Sequence, residues 1–243
     1  MSDHDVAARL ATAAGELLLG VRAELAAASA AERKDAGDKR SHDFLMEALA
    51  AERPADAVLS EEGADNPVRL TAQRVWIVDP LDGTREFSEL GRYDWAVHVA
   101  LWQSGELVAG AVALPAQGIT LVTPTVSPPP ATADKPPRIV VSRTRPPAIA
   151  LAVRDALDGT MVEMGSAGAK VASVIQGLSD IYVHAGGQYE WDSAAPVAVA
   201  RAAGLHTSRI DGSPLVYNQR DPRLPDLVVC RPEFADAVLA VTS

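Results

Sequence analysis

Ten consecutive residues near the middle of the chain, PPPATADKPP at 128–137, include five prolines. Proline fixes its own φ, has no amide proton and disfavours the helical conformation in the residue before it. Neither a helix nor a central strand can therefore run through this segment. The hydrophobic pattern also differs between its two sides. We predict a linker at 128–137 that joins an N-terminal α+β half, 1–127, to a C-terminal α/β half, 138–243.

The N-terminal half begins with two helical patterns and continues with short apolar segments. Apolar residues recur at helical spacing from Val6 to Leu25, and a second helix is predicted over Ser41–Arg53, where Pro54 ends it. The segments that follow are AVLS, RVWIVDP, DWAVHVALW, ELVAGAVALP and GITLVT. They are typical of strands, several of them in hairpin-like succession, so this half is expected to contain a sheet.

The C-terminal half alternates between strand-like and helical patterns. The strand-like segments are RIVVS, MVEM, DIYVHAG and DLVVC, and the helical ones are AIALAVRDALDG, AGAKVASVIQG, SAAPVAVARAAG and PEFADAVLAV. Such alternation is typical of a sheet with helices packed on its faces. The fold class predicted for the chain is α/β, arranged in layers.

The charge balance limits the partners of the chain. Of its 243 residues 48% are hydrophobic, which is enough for a real core, and 22 Lys and Arg face 32 Asp and Glu, a formal charge of −10. Nucleic acids bind to broad basic surfaces, so a nucleic-acid polymer is not expected as a partner. An anionic ligand would have to be met locally, by a few cations or by a metal ion.

Cysteine content and apolar segments indicate the compartment. Cys230 is the sole cysteine, which excludes an internal disulfide framework and a cysteine metal site. Arg9 and Glu16 interrupt the N-terminal apolar pattern, which does not resemble a signal peptide. No apolar run reaches the length of a membrane span. We expect a cytoplasmic protein without a membrane partner.

The stretch WIVDPLDGT places two carboxylates three residues apart, directly after a predicted strand. The proline between them fixes its φ, and we expect the side chains of Asp79 and Asp82 to point to one side of a turn. Gly83 permits close approach of a ligand to the backbone, and the hydroxyl of Thr84 can orient a water. The carbonyl of Leu81 offers a further oxygen ligand.

Other acidic residues lie near predicted element ends. They are Glu61 and Glu62 in LSEEG, Asp38 in AGDKRSHDF and Asp192 in YEWDSAAP. Each cluster alone is compatible with a helix cap or a solvated loop. Together they offer the hard oxygen ligands that Mg²⁺ prefers, and no cluster of histidines or cysteines competes for a softer metal.

The order of these motifs, an Asp, then SEE, then WIVDPLDGT, then WDSAAP, resembles the inositol monophosphatase superfamily of magnesium-dependent, lithium-sensitive phosphatases. The resemblance extends from about Asp38 to the C-terminal helix. It implies a layered α/β/α/β/α sandwich of the inositol monophosphatase and fructose-1,6-bisphosphatase type. The site would lie between the two halves of the chain.

Within the superfamily the chain is most similar to the CysQ-type 3′(2′),5′-bisphosphate nucleotidases. DPLDGTREF has their basic residue and Glu-Phe after the Thr, and VVSRTRPP resembles their Val-Ser-Arg-Ser-His stretch. Between Asp180 and Asp192 the glutamate that inositol phosphatases use against substrate hydroxyls is absent, with His184 or Ala185 near its place. The resemblance therefore argues against inositol as the preferred substrate.

The resemblance also implies the metal ligands. One Mg²⁺ would be held by Glu61, Asp79 and the Leu81 carbonyl, and a second by Asp79, Asp82 and Asp192. Asp38 would help to hold a weaker third ion. Thr84, with Glu61 or Asp38, would orient the water that attacks phosphorus.

Substrate contacts are expected from GSAGAK and its surroundings. A helix beginning there offers free amides, with Ser166 and Lys170 on one face, although a simple N-cap with a solvated lysine explains the same pattern. Arg143 and Arg145 are candidates for binding the 5′-phosphate, although lone arginines in loops usually face solvent. The substrate-binding residues predicted in full are Gly83, Thr84, Arg143, Gly165, Ser166, Lys170 and His184.

The tryptophans and histidines are interpreted as structural. Burial in the core explains four tryptophans, Trp76 and Trp191 among them, more simply than an adenine-stacking surface does. His42, His98 and His206 show no metal-ligand spacing and are expected to be structural or exposed.

The favoured function is hydrolysis of 3′-phosphoadenosine 5′-phosphate to AMP and phosphate, or of its sulfated form to adenosine 5′-phosphosulfate, linked to sulfate assimilation. One alternative is a broader phosphatase acting on inositol 1-phosphate or fructose 1,6-bisphosphate. Another is a non-catalytic metal or nucleotide sensor on the same fold. A small phosphorylated molecule is the expected partner, and the quaternary state stays open, with a homodimer among the options.

Overall fold

A computed structural model describes residues 1–131 and 135–243 of the chain. Residues 132–134 of the predicted linker lie outside the described residues. The described helices are α1 (Asp3–Glu24), α2 (Ala30–Glu52), α3 (Thr84–Ser88), α4 (Ala148–Ala156), α5 (Ala167–Ile175), α6 (Glu190–Ala202) and α7 (Ala235–Thr242). Within these two ranges no helix combines the length and the apolar content that a membrane crossing requires.

The first sheet is formed by five strands that follow one another in space as they do in the chain. They are β1 (Ala57–Ser60), β2 (Arg74–Asp82), β3 (Ala96–Gln103), β4 (Glu106–Leu114) and β5 (Ile119–Val122). β1 runs parallel to β2, and the remaining neighbours are antiparallel. All five segments predicted as strands in this half are therefore confirmed.

The second helix begins earlier than predicted. α2 begins at Ala30 instead of Ser41, because Ser29 and Glu32 form a reciprocal capping box at its first turn. The extra turns are mostly polar, so they carry no apolar periodicity to indicate a helix. Asp38 consequently lies in the interior of α2 and not near an element end.

The second sheet has a mixed strand order. Its strands are β6 (Arg138–Ser142), β7 (Thr160–Met164), β8 (Ile181–Ala185), β9 (His206–Ser208) and β10 (Asp226–Cys230), in the spatial order β7-β6-β8-β10-β9. β6 is parallel to β7 and β8, whereas β10 is antiparallel to β8 and β9. The predicted alternation is confirmed, and the three-residue β9 is an addition that was too short to stand out in the sequence.

The elements stack in five layers. α1 and α2 cover the outer face of the first sheet, α5 and α6 lie between the two sheets, and α4 and α7 cover the far face of the second sheet. Three apolar clusters fill the spaces between these layers, and the largest surrounds α5 and α6. The predicted α/β/α/β/α sandwich is confirmed. Helix α6, which carries Asp192, is thus held against β2, β3 and β4 of the first sheet.

Close packing of α6 on β4 predicts a cost for any side chain at Gly110. A Cβ there would lie 2.7 Å from the Cβ of Ala198 and 3.2 Å from the carbonyl oxygen of Ala195. We expect Gly110→Ala to lower the free energy of unfolding by about 1–3 kcal/mol through overpacking, measured by urea unfolding. Gly20→Ala is the matched control.

Gly20 is an exposed glycine of α1, and a Cβ there meets no atom within 4 Å. Alanine is the better helix former, so this control is expected to gain about 0.5–1 kcal/mol. Equal unfolding free energies for the two variants would show that α6 does not press on the sheet at Gly110.

Candidate active site

A β-bulge in β2 brings the two carboxylates of DPLDG together. Asp79 pairs with His98 and Asp82 with Ala96, so three steps along β2 oppose two steps along β3. In a regular strand, residues three apart point to opposite faces, and the extra residue re-aims the second side chain. The expectation that both lie in a turn is wrong in this detail, because both remain within the strand.

Contacts on both sides hold the bulge in place. The hydroxyl of Ser41 on α2 donates to the carbonyl of Pro80 at 2.6 Å, and the Leu81 amide donates to Asp79 Oδ1 at 3.0 Å. Gly83, which ends the motif, has a φ of +83°, a conformation that side-chain-bearing residues rarely adopt. Hydrogen bonds therefore hold the bulge, and the backbone that follows it needs a glycine at position 83.

Carboxylates from three separate segments meet at this point. Oxygen atoms of Asp79, Asp82 and Asp192 all lie within 4.8 Å of one another. The Glu61 carboxyl, which follows β1, lies close enough to Asp79 for each group to shift the pKa of the other. The fold thus brings Asp79, Asp82 and Asp192 together, with Glu61 beside them, and their role as metal ligands stays a prediction.

Electrostatic strain is evident in the pKa values of three of these groups. Burial, together with the charges of its neighbours, raises the pKa of Asp79 well above its usual range. Burial and the charge of Asp192 raise the pKa of Glu61 to about 7, and burial and the charge of Asp82 raise that of Asp192 to about 6. These carboxyls therefore keep their protons to higher pH than ordinary ones, because nothing among the described residues balances their charged forms.

Asp82 differs from these three groups in its pKa, because several hydrogen-bond donors surround its carboxylate. Its carboxylate accepts the Ser166 hydroxyl at 2.5 Å, the Gly168 amide at 2.6 Å and the Ala167 amide at 3.1 Å. Burial alone would raise its pKa, but the charge of His98 and these hydrogen bonds bring it to about 2. The first amides of α5, expected to be free for substrate, are thus occupied by Asp82.

His98 is a site residue that the sequence interpretation treated only as structural or exposed. It is fully buried, with Nε2 3.1 Å from Asp82 Oδ2 and Nδ1 3.0 Å from the Trp191 carbonyl oxygen. Burial would lower its pKa, but the charge of Asp82 raises it. A Cβ at Gly168 would lie 2.0 Å from this ring, so α5 needs a glycine there. The one available signal was a lone histidine in the apolar strand AVHVALW.

Asp38 reaches the site from α2 and contacts Thr84. The Thr84 hydroxyl lies 3.3 Å from Asp38 Oδ1 and 3.2 Å from the Leu81 carbonyl oxygen, so it can donate to either. Burial and the charge of Glu62 raise the pKa of Asp38 to about 7. The structure therefore brings Asp38 and Thr84 together, although Asp38 is in a helix interior.

Arg143, predicted to bind a phosphate, has partners within the protein. Its guanidinium lies 2.8 Å from Glu86 Oε1 and 2.7 Å from Glu89 Oε1. These glutamates belong to α3 and the residue after it, so Arg143 ties the end of β6 to the DPLDG region. A phosphate would compete with these two carboxylates for it.

The other predicted substrate contacts also have internal partners. The buried Lys170 ammonium donates to the carbonyls of Gly165 and Ser166 at 2.7 and 2.8 Å, and burial lowers its pKa. His184 Nε2 lies 2.6 Å from the Gly186 carbonyl oxygen, and burial lowers its pKa as well. Binding of substrate by Arg143, Gly165, Ser166, Lys170 and His184 stays a prediction.

The donor set fits a hard divalent cation. Asp79, Asp82 and Asp192 offer carboxylate oxygens, Glu61 adds a fourth, and no cysteine lies among them. The raised carboxyl pKa values show that the described residues leave part of this negative charge unbalanced. A cation bound by oxygen ligands would remove the imbalance.

Comparison with known proteins gives consistent matches over nearly the whole chain. The sequence model of the inositol monophosphatase family matches residues 2–128 and 132–241. A Mycobacterium leprae protein named 3′-phosphoadenosine 5′-phosphate phosphatase is 53% identical, over 99% of this chain and 93% of its own. The Escherichia coli 3′(2′),5′-bisphosphate nucleotidase CysQ is 31% identical, over 76% of this chain and 80% of its own. The crystal structure of CysQ from Bacteroides thetaiotaomicron aligns with a TM-score of 0.79 and 27% identity, covering 94% of this chain and 97% of that one.

The raised carboxyl pKa values predict a pH-dependent stability in the absence of metal. The folded state holds protons on Glu61, Asp38 and Asp192 up to about pH 6–7, whereas the unfolded chain releases them near pH 4. Stability contributed by these groups therefore falls as pH rises from about 4 to 7. With EDTA, we expect a lower melting temperature at pH 8 than at pH 5, and a larger rise on adding Mg²⁺ at pH 8.

Variants separate the effect of the carboxylate cluster from that of other groups. Asp79→Asn should flatten the pH dependence and reduce the Mg²⁺ effect, whereas Asp155→Asn, at an exposed position in α4, should leave both unchanged. A Mg²⁺ effect of equal size at both pH values would contradict the assignment of the cluster as a cation site.

Proposed function

The chain belongs to the inositol monophosphatase family, and from this we propose that it is a metal-dependent phosphomonoesterase that hydrolyses 3′-phosphoadenosine 5′-phosphate to AMP and phosphate. The observation that carries the proposal is the carboxylate cluster of Asp79, Asp82 and Asp192, whose oxygen atoms lie within 4.8 Å of one another. The relatives named for this activity, at 53–54% identity, support the choice of substrate. A link to sulfate assimilation fits this chemistry.

We propose Mg²⁺ as the cofactor, in two or three ions. Asp79, Asp82 and Asp192 would hold them together with Glu61 and the Leu81 carbonyl, and Asp38 would contribute to a weaker site. When bound, the ions supply Lewis acidity toward the phosphate and the positive charge that lets a dianion approach these carboxylates. Oxygen ligands of this kind favour Mg²⁺ over softer metals.

Thr84 and Asp38 would position the attacking water. The Thr84 hydroxyl is held between Asp38 and the Leu81 carbonyl, so its oxygen can accept a hydrogen bond from a water beside the cluster. Without a cation the pKa of Asp38 and of Glu61 is raised to about 7, and a bound cation would lower both, so either can be a carboxylate general base at neutral pH. These residues would take the proton that the water loses as it attacks phosphorus.

Asp82 would act from a fixed position. Three donors at the start of α5 and the His98 ring hold its carboxylate. Such support keeps a ligand aligned without rearrangement during the reaction. The first helical turn of α5 therefore serves the site through Asp82, which explains why GSAGAK matters even where it does not touch substrate.

Two other functions are less well supported. Inositol 1-phosphate or fructose 1,6-bisphosphate would be hydrolysed by the same cluster, but no carboxylate stands at His184, whose ring contacts Gly186. A non-catalytic sensor would be favoured by a missing ligand, and Glu61, Asp79, Asp82, Thr84 and Asp192 are all present. A cytoplasmic location and a homodimer stay predictions, the latter checked by light scattering.

A substrate panel tests the proposed function. We expect kcat/KM with Mg²⁺ to be highest for 3′-phosphoadenosine 5′-phosphate, lower for inositol 1-phosphate and fructose 1,6-bisphosphate, and abolished by EDTA. Phosphate release is the measurement. A higher kcat/KM for inositol 1-phosphate would reject the proposed substrate but keep the phosphatase, and no hydrolysis of any member would favour the sensor.

Two isosteric variants test the roles within the cluster. Asp82→Asn removes a ligand charge without changing volume, and we expect kcat/KM to fall more than about a hundredfold, beyond the range typical of groups that only support a ligand. Asp38→Asn should cost about ten- to a hundredfold, and raised Mg²⁺ should recover part of it. Circular dichroism controls for folding. An Asp38→Asn loss as complete as that of Asp82→Asn would contradict a weak third site.

A further inference from the structure

Tyr189 and Trp191 form a stacked aromatic pair at the start of α6. Their ring centroids are 4.7 Å apart and the planes differ by 5°. Trp191 is partly buried and packs against the central apolar cluster, whereas Tyr189 is 39% exposed. Trp191 thus supports one side of the Tyr189 ring, and the pair presents a flat aromatic surface to solvent.

The backbone of Tyr189 contacts the carboxylate cluster. The Tyr189 amide donates to Asp192 Oδ2 at 2.7 Å, so the residue that bears the exposed ring is hydrogen-bonded to a candidate metal ligand. The other two tyrosines of the C-terminal half, Tyr182 and Tyr217, are buried. An exposed ring at this position is therefore not explained by the need to fill the core.

A cation accompanies the aromatic surface. Tyr189 and Arg223 are directly opposite partners in an antiparallel bridge, and partners of this kind place their side chains on the same face. Arg223 is exposed, and its guanidinium makes no ion pair with residues in the described ranges 1–131 and 135–243. The surface therefore combines a flat π face with an available positive charge.

We infer that the Tyr189 ring, backed by Trp191, binds the purine base of a nucleotide substrate by stacking. This inference rests on the proposed function and identifies the residue that selects nucleotides over sugar phosphates. A phosphate held at the carboxylate cluster leaves the base of the same nucleotide within reach of the neighbouring residue. Stacking suits this task because every base has a π face, and the ring is already fixed by Trp191 before the base arrives.

Trp191 is then both a core residue, as the sequence predicts, and a support for the Tyr189 ring. Its indole packs against the apolar core on one side and against Tyr189 on the other. It would support the base only through Tyr189, as a positioning residue.

Kinetics of Tyr189→Ala and Tyr189→Phe test the inference. Loss of a stacked aromatic ring weakens binding by about 5- to 100-fold. We expect Tyr189→Ala to raise KM for 3′-phosphoadenosine 5′-phosphate by this factor, with KM and kcat for inositol 1-phosphate within twofold of the parent enzyme. Tyr189→Phe retains the ring and should restore the nucleotide KM. Tyr93→Ala, at the other exposed tyrosine, should change KM and kcat for neither substrate.

Product inhibition gives a second measurement, which should not change if Tyr189 has only a structural role. Tyr189→Ala should raise the inhibition constant of AMP by the same 5- to 100-fold and leave that of inorganic phosphate unchanged. Equal losses on both substrates would overturn the inference, because the Tyr189 ring would then support the carboxylate cluster that both substrates use. Unchanged AMP inhibition would also overturn it. Hydrolysis of the nucleotide by the parent enzyme tests the proposed function separately, so the two failures are distinguishable.

Discussion

Repulsion between the carboxylates of Asp79, Glu61 and Asp192 is the constraint on which the rest of the site depends. Taking several negative charges out of water costs free energy unless cations or donors balance them, and the raised pKa values show that balance is incomplete. A fold that tolerates this arrangement must hold the groups in place by other means. The buried layers around β2 and α6 provide that stability, because apolar side chains pack on both faces of the sheet that carries Asp79 and Asp82.

Asp82 shows how the two halves of the chain are joined around this charge. It belongs to the first sheet, yet its donors come from Ser166, Ala167 and Gly168 of the C-terminal half. His98 reaches the same carboxylate from β3 and also contacts the Trp191 carbonyl on α6. This buried carboxylate therefore links the two predicted halves, which contribute different candidate ligands.

The aromatic pair adds a second kind of recognition to the same edge. With cations bound, the carboxylate cluster would bind the phosphate group, which all phosphate monoesters share, so it would not distinguish one from another. Selectivity has to come from groups that contact the remainder of the substrate. Tyr189 lies one hydrogen bond from Asp192, so a single short segment at the start of α6 would connect phosphate binding with base recognition.

The sequence alone determined the layered fold and most of the candidate ligands. Apolar periodicity indicated the strands, prolines predicted the linker, and the DPLDGT and WD motifs each supplied candidate ligands. Such features depend on neighbours within a few residues, which is why they can be recognised in one dimension. Family resemblance supplied the pairing of ligands with ions, which no local pattern could supply.

Only the tertiary structure decided how those residues act. The bulge that re-aims Asp82 depends on pairing with β3, and the place of Asp38 depends on a capping box that starts α2 eleven residues before the predicted helix. His98, the occupied amides of α5 and the internal partners of Lys170 and Arg143 are contacts between distant segments. Pairing, burial and charge balance between segments far apart in the chain leave no periodic trace in the sequence, because they arise only when the layers close on one another.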